Sequence, residues 1–412
     1  MNTTPKSLRL QIGLFGRTNV GKSSFLNMIA GQDVAVTSPV PGTTTDVVEK
    51  AMELLPIGPV LFLDTGGLDD VSVLAEQRIH RTEKIFGRAD VAVLVAEAER
   101  WTEFEERVLA EARQRNIPCL IVINKTDLQQ PSESFMARFA GSSPAPLQCS
   151  CATPGQRELQ VVHFKESLMA VCPDEFLNAP PLVGDLLPAG GLAVLIVPID
   201  LQAPKGRLIL PQVQTIRDAL DADAATLVVK EREYAHALQF LRRPPDLVIC
   251  DSQVVLKMVA DTPPDIRCTT FSTLFARYKG DLAEEVRGVT MLDRLEKGDR
   301  VLIAEACSHH ALEDDIGRVK IPRWVRQYAG ADIQVDVATG RDYPENLSDY
   351  RLIIHCGACM LTRREMLLRI QQARNKGVAI TNYGICISFV QGVLERVLSP
   401  FPAALAAFQN KM

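Results

Sequence analysis

A glycine-rich loop between a strand-like and a helix-like segment constrains this chain more than any other feature of its sequence. Leu8–Leu14 alternates in polarity like a strand, and Ser23–Ala30 has helical character. Between them, Gly16–Ser23 matches the pattern G-x-x-x-x-G-K-S. Successive backbone N–H groups in such a loop form an anion site at the positive end of the following helix. The pattern therefore predicts a phosphate-binding loop in an α/β domain.

Strand-like and helix-like segments continue to alternate after this loop. Strands are predicted at Val60–Asp64, Asp90–Ala96 and Cys119–Asn124, with helices at Val73–Phe86 and Glu103–Arg115. Strands separated by helices of this length form a parallel sheet covered on both faces. The first 172 residues are therefore expected to form a three-layered α/β domain.

The rest of the chain predicts two further α/β domains. Prolines make 173–190 a linker. The second domain, 191–264, has strands at 192–199, 225–230 and 246–250 and helices at 211–221, 233–241 and 252–260, and Thr262-Pro263-Pro264 closes it. The third, 265–412, has strands at Arg300–Ala306, Ile333–Val337, Arg351–His355 and 378–382 and helices at Arg363–Lys376 and 386–397.

Composition narrows the class of partner and the compartment. The net charge of −5 over 412 residues argues against a protein that wraps nucleic acid. The longest nearly apolar run, Gly190–Ile199, is too short to cross a bilayer and contains Pro198. Residues 1–15 lack the apolar stretch of a secretory signal. We expect a cytoplasmic protein, in which the 10 cysteines are core residues or metal ligands rather than disulfides.

A second pattern indicates which nucleotide the loop binds. Asn124-Lys125-Thr126-Asp127 follows an apolar strand and matches the guanine signature N-K-x-D. The Asp127 carboxylate can accept two hydrogen bonds from guanine, whereas adenine offers no matching pair of donors. Asn124 is expected to brace the loop and Lys125 to lie over the base. Ser150-Cys151 stands where GTPases usually carry Ser-Ala.

The remaining GTPase patterns occur in the expected order. Asp64-Thr65-Gly66-Gly67 matches D-x-x-G, with Asp64 on the Mg²⁺ side and Gly67 sensing the γ-phosphate. Lys22 is expected to reach the β- and γ-phosphates, and Ser23 with Thr43 or Thr44 to bind Mg²⁺. Leu68 replaces the glutamine that many GTPases use to orient water, so intrinsic hydrolysis should be slow.

These patterns together predict a GTP-hydrolysing domain. Lys22, Asp64 and Gly67 are the expected residues of hydrolysis. The expected nucleotide-binding residues are Gly16, Asn19, Val20, Gly21, Lys22, Ser23, Ser24, Thr43, Thr44, Asp64, Gly67, Asn124, Lys125, Asp127, Ser150 and Cys151.

The phosphate loop and the first switch are similar to those of the tRNA-modification GTPases. The similarity lies in Asn19, in Gly42-Thr43-Thr44 and in the absence of a glutamine at Leu68. It implies a K⁺ ion beside the phosphates, with Asn19 as a ligand. Alternatively, Asn19 only shapes the loop.

A second constellation lies in the last third of the chain. Cys307-x-His309 follows one predicted strand, and His355-Cys356-x-x-Cys359 follows another. Because the carboxyl ends of parallel strands meet at one sheet edge, the two segments are expected to converge. By spacing alone, a Cys₃His zinc site is at least as well supported as an iron–sulfur cluster. A redox dithiol at Cys356 and Cys359, or a chance grouping, is less favoured.

The C-terminal stretches resemble a known family in combination with the GTPase patterns. The stretches are 305–310, 314–324, 354–366 and 380–384. Over nearly the whole chain the sequence resembles the HydF family of [FeFe]-hydrogenase maturation GTPases. The resemblance implies that Cys307, Cys356 and Cys359 hold a [4Fe–4S] cluster in a Rossmann-like domain. It also implies that His309 or His355 supplies the fourth ligand or supports the site.

The resemblance further implies a scaffold function. The last domain would carry a di-iron subcluster precursor for transfer to the apo-[FeFe]-hydrogenase, and the middle domain would form a homodimer. The radical-SAM hydrogenase maturases would be further partners. Two alternatives stay open: an RNA-associated GTPase of tRNA modification or ribosome assembly, and a GTPase with a structural zinc site.

Overall fold

The fold is taken from a computed structural model, which describes residues 4–31, 48–64, 82–153, 157–173, 176, 180–198, 208–306, 315–340 and 342–410. The chain divides into two units, Met1–Ala179 and Pro180–Met412. Five predicted site residues lie outside the described residues: Thr43, Thr44, Gly67, Cys307 and His309.

The first unit contains a six-stranded sheet. Its strands are β1 (Leu10–Phe15), β2 (Val48–Leu54), β3 (Gly58–Asp64), β4 (Val91–Glu97), β5 (Cys119–Asn124) and β6 (Leu147–Gln148), in the order β2-β3-β1-β4-β5-β6. All neighbours pair in parallel except β2, which is antiparallel to β3. The central strand β1 is buried along its whole length, as expected for a sheet with helices on both faces.

Four of the described helices of the first unit come between strands along the chain, and a fifth follows β6. They are Lys22–Ala30, 82–86, Glu103–Gln114, Glu133–Met136 and Arg157–Val171. The predicted mixed α/β class with a mostly parallel N-terminal sheet is confirmed. The edge strand β2 was not predicted, because its alternating charged and apolar residues also suit a surface loop.

The second unit contains two four-stranded parallel sheets. One has the order β10-β9-β7-β8, from β7 (Leu192–Ile196), β8 (Ala225–Val229), β9 (Leu247–Cys250) and β10 (Cys268–Thr270). The other has the order β12-β11-β13-β14, from β11 (Arg300–Glu305), β12 (Gln334–Thr339), β13 (Leu352–His355) and β14 (Ala379–Asn382). One hydrophobic core includes residues from both sheets.

The helices of the second unit cover these sheets. They are Leu210–Asp221, Tyr234–Phe240, Val255–Asp261, Phe271–Lys279, Leu282–Val289, Ile321–Ala329, Arg363–Asn375, Tyr383–Val390, Leu394–Val397 and Pro402–Gln409, with a π-helical turn at Ile316–Lys320. Gly288 allows the helix Leu282–Val289 to pack directly against β14. A Cβ at this position would lie 1.9 Å from the Ile380 carbonyl oxygen.

Two predictions for the second unit need correction. The predicted domain boundary after residue 264 lies too early in the chain, because β10 pairs with β9 and belongs to the same sheet. Thr262-Pro263-Pro264 ends a helix rather than a domain, since proline cannot continue the backbone hydrogen bonding. The predicted helix 386–397 is two helices, because Gly392, with φ of 71°, lies between them in a left-handed conformation.

The described helices contain no candidate for a membrane span, since none is both long and apolar enough.

Candidate functional site

The phosphate loop is built at the carboxyl end of β1 and leads into the helix Lys22–Ala30. Lys22 Nζ donates to the carbonyl oxygens of Gly16 at 2.9 Å and Arg17 at 3.0 Å, so its ammonium lies over the loop. Gly21 has φ of 93°, and a Cβ there would lie 2.3 Å from Asn124 Nδ2. Only glycine fits that position. Ser23 and Ser24 are exposed in the first turn of the helix.

The guanine-signature loop contacts the phosphate loop directly. Asn124 ends β5, is only 2% exposed, and donates through Nδ2 to the Val20 carbonyl at 2.8 Å. Ser150 Oγ donates to Asp127 Oδ1 at 2.6 Å, while the Asp127 side chain stays exposed. The structure therefore brings these four residues together and leaves the Asp127 carboxylate exposed.

Three further predicted residues lie at the same edge of the sheet. Asp64 ends β3, which pairs in parallel with β1, and it is buried. Lys125 has φ of 61° and forms an ion pair with Glu97 at the end of β4. Asn19 is exposed in the phosphate loop, with φ of 64°. Asparagine adopts this left-handed conformation more readily than most residues.

An ion pair that the sequence did not predict anchors the phosphate loop. Arg17 Nε donates to Glu105 Oε1 at 2.6 Å, and Arg17 Nη2 donates to the Arg100 carbonyl at 2.9 Å. Burial opposes ionisation of Glu105, but hydrogen bonds from Thr102 and Arg17 outweigh it and hold its pKa below the usual value. The sequence does mark Glu105 as a structural residue, because Thr102 and Glu105 form the capping-box pattern T-x-x-E at the start of the helix Glu103–Gln114.

The second candidate site lies at the carboxyl ends of β11 and β13. These strands are parallel neighbours, with Ala304 opposite His355. The Ala306 N–H donates to Cys356 Sγ at 3.2 Å. Residues 307–314 lie outside the described residues, so Ala306 is the last described residue before Cys307. The ends of β11 and β13 therefore lie side by side, and the approach of Cys307 and His309 to Cys356 stays a prediction.

Backbone N–H groups lie near the two described thiols. Burial raises the pKa of Cys356 and of Cys359, and the N–H groups of Ala306 and Ala358 for Cys356 and of Met360 for Cys359 oppose this shift. Ala358, between the cysteines, has φ of 51°, an uncommon conformation for a residue with a side chain. Such N–H···S hydrogen bonds stabilise thiolates and tune iron–sulfur clusters.

Lys279 was not predicted, yet it holds this loop in place. It ends the helix Phe271–Lys279, is 2% exposed, and donates through Nζ to three carbonyl oxygens. The distances are 3.1 Å to Ala358, 3.3 Å to Cys359 and 2.7 Å to Leu361. Burial lowers the pKa of Lys279 to about 8, and the neighbouring Cys359 opposes this shift.

His355 ends β13 and has one imidazole nitrogen without a hydrogen-bond partner. The ring is fully buried, and Nδ1 lies 2.7 Å from the Cys356 carbonyl oxygen. Burial, and then the nearby Arg369, lower the pKa of His355 to about 3, so the imidazole is neutral. Nδ1–H donates to that carbonyl, and Nε2 has no hydrogen-bond partner. This is the arrangement of a histidine that can bind a metal.

Arg369 adds a second buried cation. It lies on the helix Arg363–Asn375, and its guanidinium stacks over the Tyr343 ring at 4.3 Å. Its Nε and Nη1 atoms are buried and have no hydrogen-bond acceptor. Arg369 also lowers the pKa of Cys356, although burial outweighs it and raises that pKa overall.

Other polar groups lie at the same edge, around the buried Glu305. Arg318 donates to Glu305 Oε2 from Nε at 3.1 Å and from Nη2 at 2.8 Å, and Tyr383 Oη donates to Glu305 Oε1 at 3.4 Å. A cavity of about 10 Å³, the space of one water molecule, lies beside the thiol loop. Among its lining residues are Phe275, Lys279, Glu285, Cys356, Met366 and Asn382.

Comparisons with protein-family models match both units. Residues 182–280 match the hydrogen maturase F dimerization domain, and residues 283–400 match the hydrogen maturase F tetramerization domain. Residues 11–125 match the 50S ribosome-binding GTPase model. The chain belongs to the hydrogen maturase F family. Its first unit is a GTP-binding GTPase domain, and the two domain types of the second unit indicate an oligomeric protein.

The GTPase domain of this family member also resembles curated relatives. It is 43% identical over 121 residues to the tRNA modification GTPase MnmE of Synechococcus sp. (strain JA-3-3Ab), covering 29% of this chain and 26% of that protein. It is 33% identical over 135 residues to the GTPase Der of Clostridium perfringens (strain SM101 / Type A), covering 32% of this chain and 31% of that protein. The chain therefore spans less than a third of the length of each relative.

Two solved structures are partly similar to this chain. The G domain of the T. maritima FeoB iron transporter is 20% identical, with a TM-score of 0.28, over 38% of this chain and 98% of that chain. Toc33 from Arabidopsis thaliana with Mg²⁺ and GMPPNP is 17% identical, with a TM-score of 0.30, over 40% of this chain and 85% of that chain.

Proposed function

We propose that this protein hydrolyses GTP and serves as a scaffold that carries a di-iron subcluster precursor to the apo-[FeFe]-hydrogenase. The precursor would be carried beside a [4Fe–4S] cluster on Cys307, Cys356 and Cys359. The observation that best supports this proposal is the 3.2 Å hydrogen bond from Ala306 N–H to Cys356 Sγ. It joins the two strand ends that carry the three cysteines.

In the GTPase reaction the protein mainly positions the phosphates and stabilises charge. The Lys22 ammonium, already over the loop, would neutralise charge on the β- and γ-phosphates. Mg²⁺, held by Ser23 and Thr44 with Asp64 nearby, would supply further positive charge. Gly67 would sense the γ-phosphate, and Asn19 would bind K⁺. No side chain is assigned to water activation, which is consistent with slow intrinsic hydrolysis.

The described residues at the thiol edge suit an anionic iron–sulfur cluster. Lys279 and Arg369 are buried cations, and Arg369 has N–H groups without acceptors. Buried charges of one sign are costly unless an opposite charge lies nearby. The bound cluster would supply an iron with an open coordination position. The bare Nε2 of His355, or His309 from outside the described residues, would serve as fourth ligand or support.

The remaining parts of the proposal concern partners. We infer that the oligomer is built on a homodimer through the middle domain. The radical-SAM hydrogenase maturases and the apo-hydrogenase would dock on it in the cytoplasm. Because the GTPase residues and the thiol edge belong to different units, nucleotide state would alter partner docking rather than cluster chemistry.

Metal analysis after oxygen-free purification tests the proposal against the zinc alternative. Among the described residues, which include His355, Cys356 and Cys359, no three side chains form a group that could hold a metal, and Cys307 lies outside them. We expect broad visible absorption with iron and sulfide in the purified full-length protein. Zinc without iron would support the structural-zinc alternative and overturn the scaffold proposal.

Replacing Lys279 should loosen the cluster without touching a thiol. Lys279→Met removes the donors to the Ala358, Cys359 and Leu361 carbonyls, which orient the cysteines. Supporting interactions of this kind typically change metal affinity 10–100-fold, so iron release to a chelator should be at least about tenfold faster. The measurement is the rate of absorbance loss on adding the chelator under anaerobic conditions.

The matched control for this experiment is Lys297→Met, because Lys297 is an exposed lysine in the same unit. It should release iron at the wild-type rate. GTP turnover should be unchanged in both variants. Equal release rates in Lys279→Met and wild type would show that Lys279 does not support the cluster.

A further inference from the structure

Two cysteines flank Ser150 in the guanine-binding loop, and the proposed hydrolysis of GTP assigns no step to either thiol. Cys149 Sγ lies 3.5 Å and Cys151 Sγ 3.2 Å from the same atom, Asn124 Oδ1. Each thiol also influences the pKa of the other, so the two sulfur atoms are close neighbours. They therefore form a pair of adjacent sulfur atoms inside the nucleotide site.

The atom that the thiols share belongs to the residue that connects the two nucleotide loops. Asn124 donates from Nδ2 to the Val20 carbonyl at 2.8 Å, and the same Nδ2 lies against Gly21. A change in the Asn124 amide is therefore transmitted to the phosphate loop. The thiols are hydrogen-bond donors to this amide in the reduced protein.

The backbone that carries the thiols also positions the base-reading carboxylate. Ser150, between the two cysteines, donates to Asp127 Oδ1 at 2.6 Å, and Thr126 Oγ1 donates to the Cys149 carbonyl at 3.0 Å. A covalent link between Cys149 and Cys151 would close a small ring around Ser150. Such a ring would turn the serine hydroxyl away from Asp127.

We propose that Cys149 and Cys151 are a site of reversible oxidation at which a low-molecular-weight disulfide weakens guanine-nucleotide binding. The Cys151 thiolate attacks one sulfur of the small disulfide RSSR, forms a mixed disulfide and releases one RS⁻. The Cys149 thiolate then attacks the Cys151 sulfur, forms the Cys149–Cys151 bond and releases the second RS⁻. Two thiols become one disulfide, RSSR is reduced to two RSH, and the two cysteine protons end on those products.

The environments of the two thiols fit these two roles. Cys151 is half-buried, so a small disulfide can reach it, whereas Cys149 is 1% exposed. When Cys151 loses its proton, the Cys149 S–H can turn to it, which lowers the pKa of Cys151 and raises that of Cys149. A thiol with a lowered pKa is the better attacking group near neutral pH. Cys151 therefore reacts first, and Cys149 resolves the mixed disulfide.

Oxidation removes both hydrogens that Asn124 Oδ1 accepts. The buried amide oxygen then lacks its thiol donors, which destabilises the arrangement that joins the base and phosphate loops. We expect the oxidised protein to bind guanine nucleotide about tenfold more weakly. Reduction restores both S–H groups, and affinity should return with them.

The test uses the full-length protein and a fluorescent GDP analogue. The dissociation constant is measured for reduced protein, after oxidised glutathione, and again after dithiothreitol. Trypsin provides the matching chemical readout, because cleavage after Arg138 and Arg157 releases a peptide, Phe139–Arg157, whose only cysteines are Cys149 and Cys151. This peptide should lose two hydrogen masses on oxidation, in parallel with the loss of affinity.

Variants assign the effect to this pair. The oxidant-dependent change in affinity should disappear in Cys149→Ser, whatever its affinity when reduced, and Cys151→Ser provides the same test if that variant does not fold. Cys119→Ser removes a thiol of the same domain outside this loop and should respond like wild type. The proposal is overturned if the peptide forms no internal disulfide, carries only glutathione, or is oxidised without loss of affinity. It is equally overturned if Cys149→Ser responds to oxidant like wild type.

Discussion

GTP turnover in Lys22→Ala falls about 10²–10³-fold, and the iron content per chain stays at the wild-type level, if the two units work as proposed. The fall follows because the Lys22 ammonium lies over the phosphate loop and no other described lysine donates to its carbonyls. Iron is retained because the thiol edge belongs to the other unit. Phosphate release and iron content are measured on the same anaerobic preparation.

Lys165→Ala is a suitable control, since Lys165 lies on the helix Arg157–Val171 of the same domain. Lys165→Ala should leave both the rate of phosphate release and the iron content unchanged. Loss of iron in Lys22→Ala, with normal folding by circular dichroism, would contradict the separation of nucleotide hydrolysis from cluster binding. Wild-type turnover would contradict the assigned role of Lys22.

Replacing the three cysteines Cys307, Cys356 and Cys359 by serine should abolish both iron binding and hydrogenase activation. Serine keeps the shape of each side chain but removes the thiolate that iron requires. Iron and sulfide are measured after anaerobic purification, and activation is measured by co-expression with the apo-hydrogenase and its other maturases. GTP turnover should be unaffected, because no cysteine of this set lies in the GTPase domain.

The matched control is Cys386→Ala, which removes a buried thiol from the helix Tyr383–Val390 in the same unit. It should retain iron and activation. Activation that persists in the triple variant would refute the carrier role, and iron that persists there would refute the ligand assignment. If Cys386→Ala alone lost both iron and activation, the loss would indicate damage to the fold rather than to a site.

Local sequence patterns predicted most of the regular structure. The strand, loop and helix around Gly16–Ser23 were predicted because alternation, glycine spacing and helical character are all local signals. The three-residue strand β10 was not predicted, since a segment of this length shows no measurable alternation. Its place in the middle sheet depends on pairing with β9.

The residues of the candidate sites also fall into two groups, those that a local sequence pattern identified and those that only the structure revealed. Asn124, Asp127 and Ser150 were identified because their types and spacing belong to a known pattern, and the structure brings them together. Lys279 and Arg369 were not identified. Lys279 contacts Leu361, which is 82 residues away along the chain, and an isolated lysine in a helix gives no sign of such a partner.

By itself, the sequence determined the α/β class, the phosphate and guanine loops, and the two cysteine segments, because each depends on residue types at short spacing. Only the tertiary structure decided which buried charges surround the thiols and that two cysteines of the guanine loop share one amide oxygen. The physical reason is that burial and long-range contacts arise when distant segments pack together. Neither is encoded in the spacing of neighbouring residues.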